Sequence, residues 1–240
     1  MKRIWWIMLL MSISKSTVAA ELPSQRLDLS CWKLTLPENT DRPGKPDEIT
    51  GKELGKFQHP RYFRVAATNR SVLFRAPCDG VTTRGSKYPR CELREMKPGG
   101  RDEANWGTAD GKRHTLVASL AILETPVVKK HVVCAQVHHP DDDLLMVRLE
   151  GKKLFVERND LPGVRLDSNY KLGTRFSIKI EAEGGHVKVW YNDQLKMDWV
   201  VSQQGCYFKA GCYTQSNTTK GDLPTAGGEV AIYRLVVFHQ

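Results

Sequence analysis

Polar and apolar side chains alternate along most of the chain, a pattern that predicts β-strands. The alternating runs are rich in β-branched and aromatic residues, and clusters of Gly, Pro, Asn and Asp separate them. No amphipathic segment of about 10 to 15 residues lies between them, which argues against βα units. Helix is expected only in short pieces, such as one near 53–57. The predicted strands are residues 72–76, 90–95, 113–123, 131–138, 144–150, 153–158, 175–183, 186–191, 206–215 and 229–238.

The spacing of these strands favours an all-β domain, either a sandwich or a jelly roll. Residues 21–240 are enough for one such domain with a full core, and no linker, internal repeat or low-complexity tract divides them. We therefore predict a single β domain over 21–240.

Residues 1–20 have the composition of a cleaved secretory signal. Lys2 and Arg3 precede the apolar run 4–11, and the small residues Val18 and Ala20 stand before a cut at Glu21. About eight apolar residues are too few to span a bilayer, which needs roughly 20. We predict a secreted protein, extracellular or periplasmic, with no membrane attachment after cleavage.

The run at 207–215, YFKAGCYTQ, separates its chemistry by face. A period of two places Tyr207, Lys209, Gly211, Tyr213 and Gln215 on one side and small or apolar residues on the other. The glycine between a cation and a phenol would leave room for a ligand against the sheet. One face is therefore expected to be polar and proton-active, and the other to be core.

Two more runs, at 90–94 and 131–138, offer polar faces by the same count. The first face has two guanidinium groups around a carboxylate, and the second has an amide beside an imidazole. The residues that share these faces are Arg90, Glu92 and Arg94 in the first run and Cys134, Gln136 and His138 in the second.

The chain is basic, with a formal net charge of +9, of which Lys2, Arg3 and Lys15 supply three, leaving +6 after the predicted cleavage. A secreted basic protein suggests a polyanionic partner, but composition alone does not separate polysaccharide, nucleic acid and membrane. Nucleic acid is disfavoured because basic and aromatic residues do not interleave as a stacking platform.

Six cysteines follow the predicted cleavage site. An even number in an exported chain predicts disulfides, with 15 pairings open. No C-x-x-C pair is present, which argues against a zinc knuckle or a thioredoxin-like site. The cysteines are Cys31, Cys78, Cys91, Cys134, Cys206 and Cys212.

Together the three polar faces suit the cleavage of a uronic acid polymer by elimination. That reaction needs a neutralised carboxylate, a base for the C5 proton and an acid for the departing oxygen on C4. Arg90 with Gln136 suits the first requirement. His138 suits the second and Tyr213, a neutral phenol, the third.

Each residue also has a plainer interpretation. Arg-x-Glu-x-Arg is commonly a cross-strand salt-bridge set, and Glu92 would then fix its two arginines. His138 could be a surface residue or join His139 and residues 141–143 in a metal site, and Tyr213 could only pack. Glu92 is the only acid on the three faces, so the carboxylate pair of a glycoside hydrolase is missing. A carbohydrate-binding jelly roll stays open, although it has no use for an imidazole beside a phenol.

Three blocks of sequence closely resemble the signature motifs of the alginate lyases of polysaccharide lyase family 7. They are YPRCELRE at 88–95, QVH at 136–138 and YFKAGCYTQ at 207–215. Their order and separation match as well, and the resemblance extends over most of residues 30–240.

The resemblance implies a β-jelly-roll of two antiparallel sheets with a concave substrate groove. It implies endolytic β-elimination of alginate without a catalytic metal or other cofactor, and we expect a monomer. By position, Arg90 and Gln136 would neutralise the carboxylate and His138 would be the base. Tyr213 would be the acid, or both base and acid on mannuronate. The expected substrate-binding residues are Glu92, Arg94, Lys209 and Gln215.

The chain departs from the family pattern at Cys91, where Ser or Thr is usual, and it has Cys212 at a variable position. Both face away from the groove by the period-two count, so we expect disulfide or core use. Val137, where Ile is the other common residue, resembles the variants associated with mannuronate preference. A lyase for another polyuronate, such as glucuronan, remains the nearest alternative.

Overall fold

The computed structural model describes residues 21–40, 43–68 and 70–240, so the predicted signal segment lies outside the described residues. Helix is confined to α1 (Gly51–Leu54) and two 3₁₀ turns, Pro23–Gln25 and Thr218–Lys220. The strands are β1 (Trp32–Thr35), β2 (Glu48–Thr50), β3 (Phe63–Val65), β4 (Val72–Pro77), β5 (Arg90–Glu95), β6 (His114–Glu124), β7 (His131–His138), β8 (Asp143–Glu150), β9 (Lys153–Arg158), β10 (Leu161–Asp167), β11 (Phe176–Glu183), β12 (His186–Tyr191), β13 (Gln194–Val200), β14 (Tyr207–Thr214) and β15 (Gly227–His239).

The strands form two antiparallel sheets, and the predicted all-β jelly-roll architecture is confirmed. The eight-stranded sheet has the order β10-β9-β8-β7-β14-β5-β1-β2, and the seven-stranded sheet has the order β13-β12-β11-β6-β15-β4-β3. No helix among the described residues is long and apolar enough to cross a membrane.

The core lies between the two sheets and consists of large apolar side chains from the inner faces of both. Complete burial of one such side chain contributes roughly 1.5–3 kcal/mol, so this layer supplies most of the free energy that holds the sheets together. Its largest fully buried members include Trp32, Phe63, Phe74, Phe208, Leu93, Leu116, Leu120, Ile122 and Leu145.

The three motif-bearing strands are adjacent, although they are far apart in the sequence. β14 lies between β5 and β7, with Tyr213 opposite Arg90 and Tyr207 opposite His138. Lys209 is opposite Arg94 on one side and Gln136 on the other. The register therefore brings all three predicted polar faces onto one surface of the eight-stranded sheet.

Every strand predicted from the pattern is present, with ends that shift by a residue or two. The predicted helix at 53–57 lies slightly earlier, at Gly51–Leu54. Five strands were not predicted, namely β1, β2, β3, β10 and β13. The last four are the four edges of the two sheets. Edge strands bury less apolar surface, and β10 even contains Pro162 and Gly163, so their alternation is weak.

Irregular pairing of β7 and β14 overturns two details of the period-two count. The β7–β8 register shifts between Val133 and Ala135, and Cys134 consequently points into the core, not toward the side of Gln136. Opposite it, the β14–β7 register shifts between Ala210 and Tyr213. Such bulges reverse side-chain direction, which a strict alternation does not anticipate.

Gly211 does not provide the predicted space for a ligand. Its φ of +144° is a conformation that other residues rarely adopt. A Cβ there would lie 2.6 Å from the Cys91 carbonyl oxygen and 3.1 Å from Cδ1 of Phe74, on the core side. Glycine is thus required by the bulge and not by a ligand.

The prediction of disulfides is wrong: all six cysteines are free thiols. Cys91 and Cys212 face each other across β5 and β14, but both are fully buried and occupy core positions as small apolar residues. Cys91 Sγ donates to the Tyr62 carbonyl at 3.2 Å, and Cys134 Sγ donates to the Val147 carbonyl at 3.5 Å. Burial raises the pKa of the Cys212 thiol to about 12, which keeps it unreactive.

Candidate active site

A cavity of about 390 Å³, here called the site cavity, opens on the outer face of the eight-stranded sheet above β5, β14 and β7. Six of the eight residues predicted to form a site line it together: Arg90, Arg94, Gln136, His138, Lys209 and Tyr213.

The other two predicted site residues, Glu92 and Gln215, do not line the site cavity. Gln215 follows the end of β14, where its backbone N–H donates to the His131 carbonyl at 3.1 Å. Glu92 lies beneath the cavity floor with 1% of its surface exposed. Glu92 thus lies behind the residues that line the cavity and supports its neighbours from below.

Glu92 accepts hydrogen bonds from donors on all three motif strands. Arg90 Nη1 donates to Oε2 at 3.1 Å, Lys209 Nζ lies 2.5 Å from the same oxygen, and Gln136 Nε2 donates to Oε1. Burial alone would raise the pKa of Glu92, but the charges of Lys209 and Arg90 hold it below its usual value. The carboxylate therefore stays ionised and fixes the three side chains that form the floor.

The positive charge of Lys209 is only partly compensated by its surroundings. Burial and the nearby charge of Arg90 lower its pKa to about 8, although Glu92 opposes the shift. With Arg90 and Arg94 beside it, the floor has three cationic groups and one buried carboxylate. This excess of positive charge suits an anionic ligand.

His138 has a defined tautomer. Its Nδ1 lies 2.6 Å from the His139 carbonyl oxygen, which can only accept, so Nδ1 bears the proton. Nε2 therefore retains its lone pair. Burial and the charge of Lys209 lower the pKa of His138 to about 4, so the ring is neutral at neutral pH and able to act as a base.

Tyr213 is held from two directions. The guanidinium carbon of Arg90 lies 3.9 Å from the centroid of its ring, a cation–π contact. Its hydroxyl is 3.0 Å from Ser86 Oγ, on the loop that precedes β5. These contacts fix both the ring plane and the position of the phenol oxygen.

Arg94 lies beside this floor and has partners other than Glu92. It pairs with Glu103, and its guanidinium carbon is 4.0 Å from the ring centroid of Tyr207. Glu103 also lies 3.4 Å from Nζ of Lys33, another residue of the cavity wall. The two arginines of the Arg-x-Glu-x-Arg motif thus belong to different ion pairs, contrary to the interpretation in which one acid fixes both.

A core-side carboxylate anchors the start of β14. Glu95 Oε2 accepts from the backbone N–H of Phe208 at 2.8 Å and from Trp106 Nε1 at 3.0 Å, and its Oε1 is 2.6 Å from His239 Nε2. Phe208 lies between Tyr207 and Lys209, both of which line the cavity. Residues on both faces of β5 therefore position the site.

Sequence reasoning assigned no role to two residues that touch the predicted catalytic groups. Tyr207 has its hydroxyl 3.0 Å from His138 Nδ1, and Ser86 contacts Tyr213. Tyr207 was on the predicted polar face, so its position was available as a signal. Ser86 lies in a loop, where side-chain direction follows no period, and no pattern in the sequence indicated it.

Acidic residues form one wall of the cavity. Asp141, Asp142 and Asp143 line it beside Pro140, and burial together with Asp142 raises the pKa of Asp143 to about 7. Within the part of the chain that the structure describes, no group of three or more His, Cys, Asp or Glu residues is arranged to hold a metal ion. His139 Nδ1 is 3.8 Å from Asp141 Oδ2.

Comparison with known proteins places this site in a family. Residues 27–239 match the family model described as alginate lyase. The solved structure of the alginate lyase AlgAT5 from polysaccharide lyase family 7 is 52% identical, with a TM-score of 0.88, covering 92% of this chain and 100% of that one. An alginate lyase from Corynebacterium sp. is 42% identical, with a TM-score of 0.87, covering 92% and 99%.

A more distant structure carries a ligand. A variant of the family 7 alginate lyase A1-II′, solved in complex with the substrate GGMG, is 27% identical with a TM-score of 0.78, covering 93% of this chain and 97% of that one. The jelly-roll fold, the site cavity and these matches define a polysaccharide lyase. More narrowly, the chain belongs to the alginate lyases, polysaccharide lyase family 7.

The pKa shifts predict how activity depends on pH. A base at His138 is lost only as the pH falls through about 4, where the imidazole takes up a proton. On the alkaline side Asp143 gains negative charge above about 7 and Lys209 loses positive charge above about 8. Both changes weaken attraction for a polyanion. We therefore expect kcat/KM to hold steady from about pH 4 to 7 and to decline above that, because KM rises.

Initial rates on a short oligouronate across this range, with circular dichroism to verify folding, test the profile. The Asp143→Asn variant should lose the first alkaline step and keep the second. An acid limb near pH 6.5, the ordinary value for histidine, would contradict the assignment of a buried neutral base.

Proposed function

We propose that this lyase cleaves the 1,4-glycosidic bonds of alginate by β-elimination and leaves a 4,5-unsaturated uronate at each new non-reducing end. The observation that supports this most strongly is the convergence of Arg90, Gln136, His138 and Tyr213 on one cavity. These residues come from three distant segments. Together they would supply the groups that neutralise the carboxylate, the base and the acid in a single cavity.

Arg90 and Gln136 are proposed to neutralise the uronate carboxylate. Each uses one donor on Glu92 and has others left for a ligand. The positive charge of Lys209 adds to the attraction. A neutralised carboxylate accepts electron density from C5, and this lowers the free energy needed to remove the C5 proton.

The elimination itself moves two protons and two electron pairs. The C5–H bond breaks and its proton goes to Nε2 of His138, while the C–H electron pair forms the C4=C5 double bond. The C4–O bond breaks, its electron pair stays on the glycosidic oxygen, and Tyr213 donates a proton to that oxygen. The resulting imidazolium and phenolate return to their starting states by proton exchange with solvent.

Substrate preference and cleavage pattern follow from the family resemblance. Endolytic action and a lean to mannuronate-containing substrate are proposed on that basis, the latter from Val137. This side chain is fully buried in the core, so it would act on the site only through the position of its neighbours Gln136 and His138. Export is proposed from the composition of residues 1–20.

Absorbance of the unsaturated uronate tests the proposal. Poly-mannuronate, poly-guluronate and glucuronan are supplied separately, and the size of the earliest products is determined. We expect rising absorbance with mannuronate-containing alginate and a rapid fall in polymer length. If absorbance rises only with glucuronan, then glucuronan and not alginate is the substrate. Binding without any absorbance change would indicate a carbohydrate-binding jelly roll.

Arg90→Ala is expected to lower kcat/KM by at least ~10²-fold, which is the loss typical of removing one donor that stabilises developing charge. Arg75→Ala is a matched control, because Arg75 forms an ion pair with Glu124 on the seven-stranded sheet, away from the cavity. Both variants are assayed for unsaturated product. Equal rates for the two variants would remove Arg90 from the proposed mechanism.

A further inference from the structure

The hydroxyl of Ser86 has three polar neighbours. Its Oγ lies 3.1 Å from both the carbonyl oxygen and the backbone nitrogen of Tyr88, and 3.0 Å from the Tyr213 hydroxyl. Ser86 also lines the site cavity, on the loop that leads into β5. Among the described residues, the Tyr213 hydroxyl has its one hydrogen bond with Ser86.

The directions of these hydrogen bonds follow from the chemistry of the groups. A carbonyl oxygen only accepts, so the Ser86 hydrogen is donated to the Tyr88 carbonyl. A backbone N–H only donates, so Oγ accepts from Tyr88. Either hydroxyl of the Ser86–Tyr213 pair can be the donor, and the direction that leaves the Tyr88 carbonyl with its donor is the one in which Tyr213 donates to Ser86. In that arrangement, the phenol hydrogen points at the serine and not at the place of a departing sugar oxygen.

The loop that carries Ser86 has its own anchors. Asn217 Nδ2 donates to the Lys87 carbonyl at 2.8 Å, and Lys129 Nζ donates to the Tyr88 hydroxyl at 3.0 Å. These contacts hold the loop to the segment before β7 and to the chain after β14 without involving Ser86. The serine hydroxyl is thus free to change its hydrogen-bond direction while the loop remains in place.

We propose that Ser86 is a positioning residue for Tyr213 that exchanges acceptor for donor during the reaction. This rests on the proposed elimination, with Tyr213 as the acid. Before the reaction Ser86 accepts the phenol hydrogen and fixes the oxygen. The phenol O–H then rotates from Ser86 to the glycosidic oxygen and gives it the proton, and the serine hydroxyl turns from the Tyr88 carbonyl and donates to the phenolate. Arg90, against the face of the same ring, adds its positive charge.

The expected effect is on turnover more than on binding. A hydrogen bond to a charged group is stronger than one to a neutral group, and losing it as the phenolate forms should lower kcat by about 10- to 100-fold. KM should change little, because Ser86 is occupied by Tyr213 and Tyr88 before the reaction. A serine that only held the loop would instead affect thermal stability and KM.

Two variants of equal shape separate these roles. Ser86→Thr keeps the hydroxyl, and Ser86→Val replaces it with a methyl group. Unsaturated product from alginate is measured for both, with thermal unfolding of each. We expect Thr to retain kcat within a few-fold of the unchanged protein and Val to lose about 10- to 100-fold at similar KM.

Equal kcat for Thr and Val, with both variants active, would overturn the proposal. If the added methyl group inactivates both, Ser86→Ala decides, and a kcat within about twofold of the unchanged protein would equally overturn it. These outcomes are distinct from failure of the proposed function, in which the unchanged protein would produce no unsaturated uronate from any polymer.

Discussion

Tyr213→Phe should abolish detectable turnover, with a loss of at least ~10³-fold, within the range attributed to general acid catalysis. Phenylalanine keeps the ring against the Arg90 guanidinium and removes only the hydroxyl that donates to Ser86. Since the carboxylate-binding groups remain, affinity for intact alginate should fall only modestly. Initial rates of unsaturated uronate formation, with calorimetric binding to the uncleaved polymer, measure both quantities.

Tyr233→Phe is the matched control for this variant. Its ring also lies against a guanidinium group, that of Arg175, 4.3 Å from the ring centroid, but it belongs to β15 of the seven-stranded sheet and does not line the site cavity. We expect nearly normal rates for Tyr233→Phe. A Tyr213→Phe variant that also retains its rate would refute the acid assignment and turn attention to Tyr207, the other phenol in the cavity.

The second large effect is on stability. Glu92→Gln removes the one negative charge that faces Arg90 and Lys209 beneath the cavity. Breaking a buried ion pair by removing one partner costs about 3–5 kcal/mol, because the remaining charge is buried without compensation. We expect a loss of that size in the free energy of unfolding in urea, with the slope m unchanged.

The sign of the pH dependence provides a further check on Glu92→Gln. The loss should diminish as the pH rises toward about 8 and stay at its lower value above that, where Lys209 is neutral and needs no counter-charge. Glu103→Gln is the control, because Glu103 is a half-exposed partner of Arg94 whose ion pair should contribute no more than about 1 kcal/mol. Losses of the same size in both variants would show that Glu92 has no special structural role.

The central strands of this protein could be predicted from the sequence because burial on both sheets demands a strong pattern. β5, β7 and β14 combine apolar core residues with polar residues on the opposite face, so these strands and the cavity residues that lie on them were available from alternation alone. The four edge strands were not, because an edge needs little apolar surface on its exposed side.

The errors in the site have two physical sources. Bulges in β7 and β14 reverse side-chain direction, so Cys134 and Gly211 lie on faces opposite to their predicted ones. Charge partners also come from other strands. Glu92 pairs with Lys209 across β5 and β14, and Arg94 pairs with Glu103 from a loop, whereas sequence proximity suggested a set within one strand.

The disulfide prediction failed because it used cysteine number and export alone. The cysteines of β5, β7 and β14 lie in a core that is already large enough to stabilise a domain of this length without cross-links. Cysteine in these strands is used as a small apolar residue, a choice that no count of cysteines reveals.

The position of β14 between β5 and β7 has a consequence for how activity arises during biosynthesis. Without residues 207–214, the larger sheet would be two separate ribbons, β10 to β7 and β5 to β2. A growing polypeptide that has not yet reached this segment has neither Tyr213 nor the site cavity around it. Because pairing across such long loops is slow, polymer-cleaving capacity arises only in the last stage of maturation, when most of the chain has already been made.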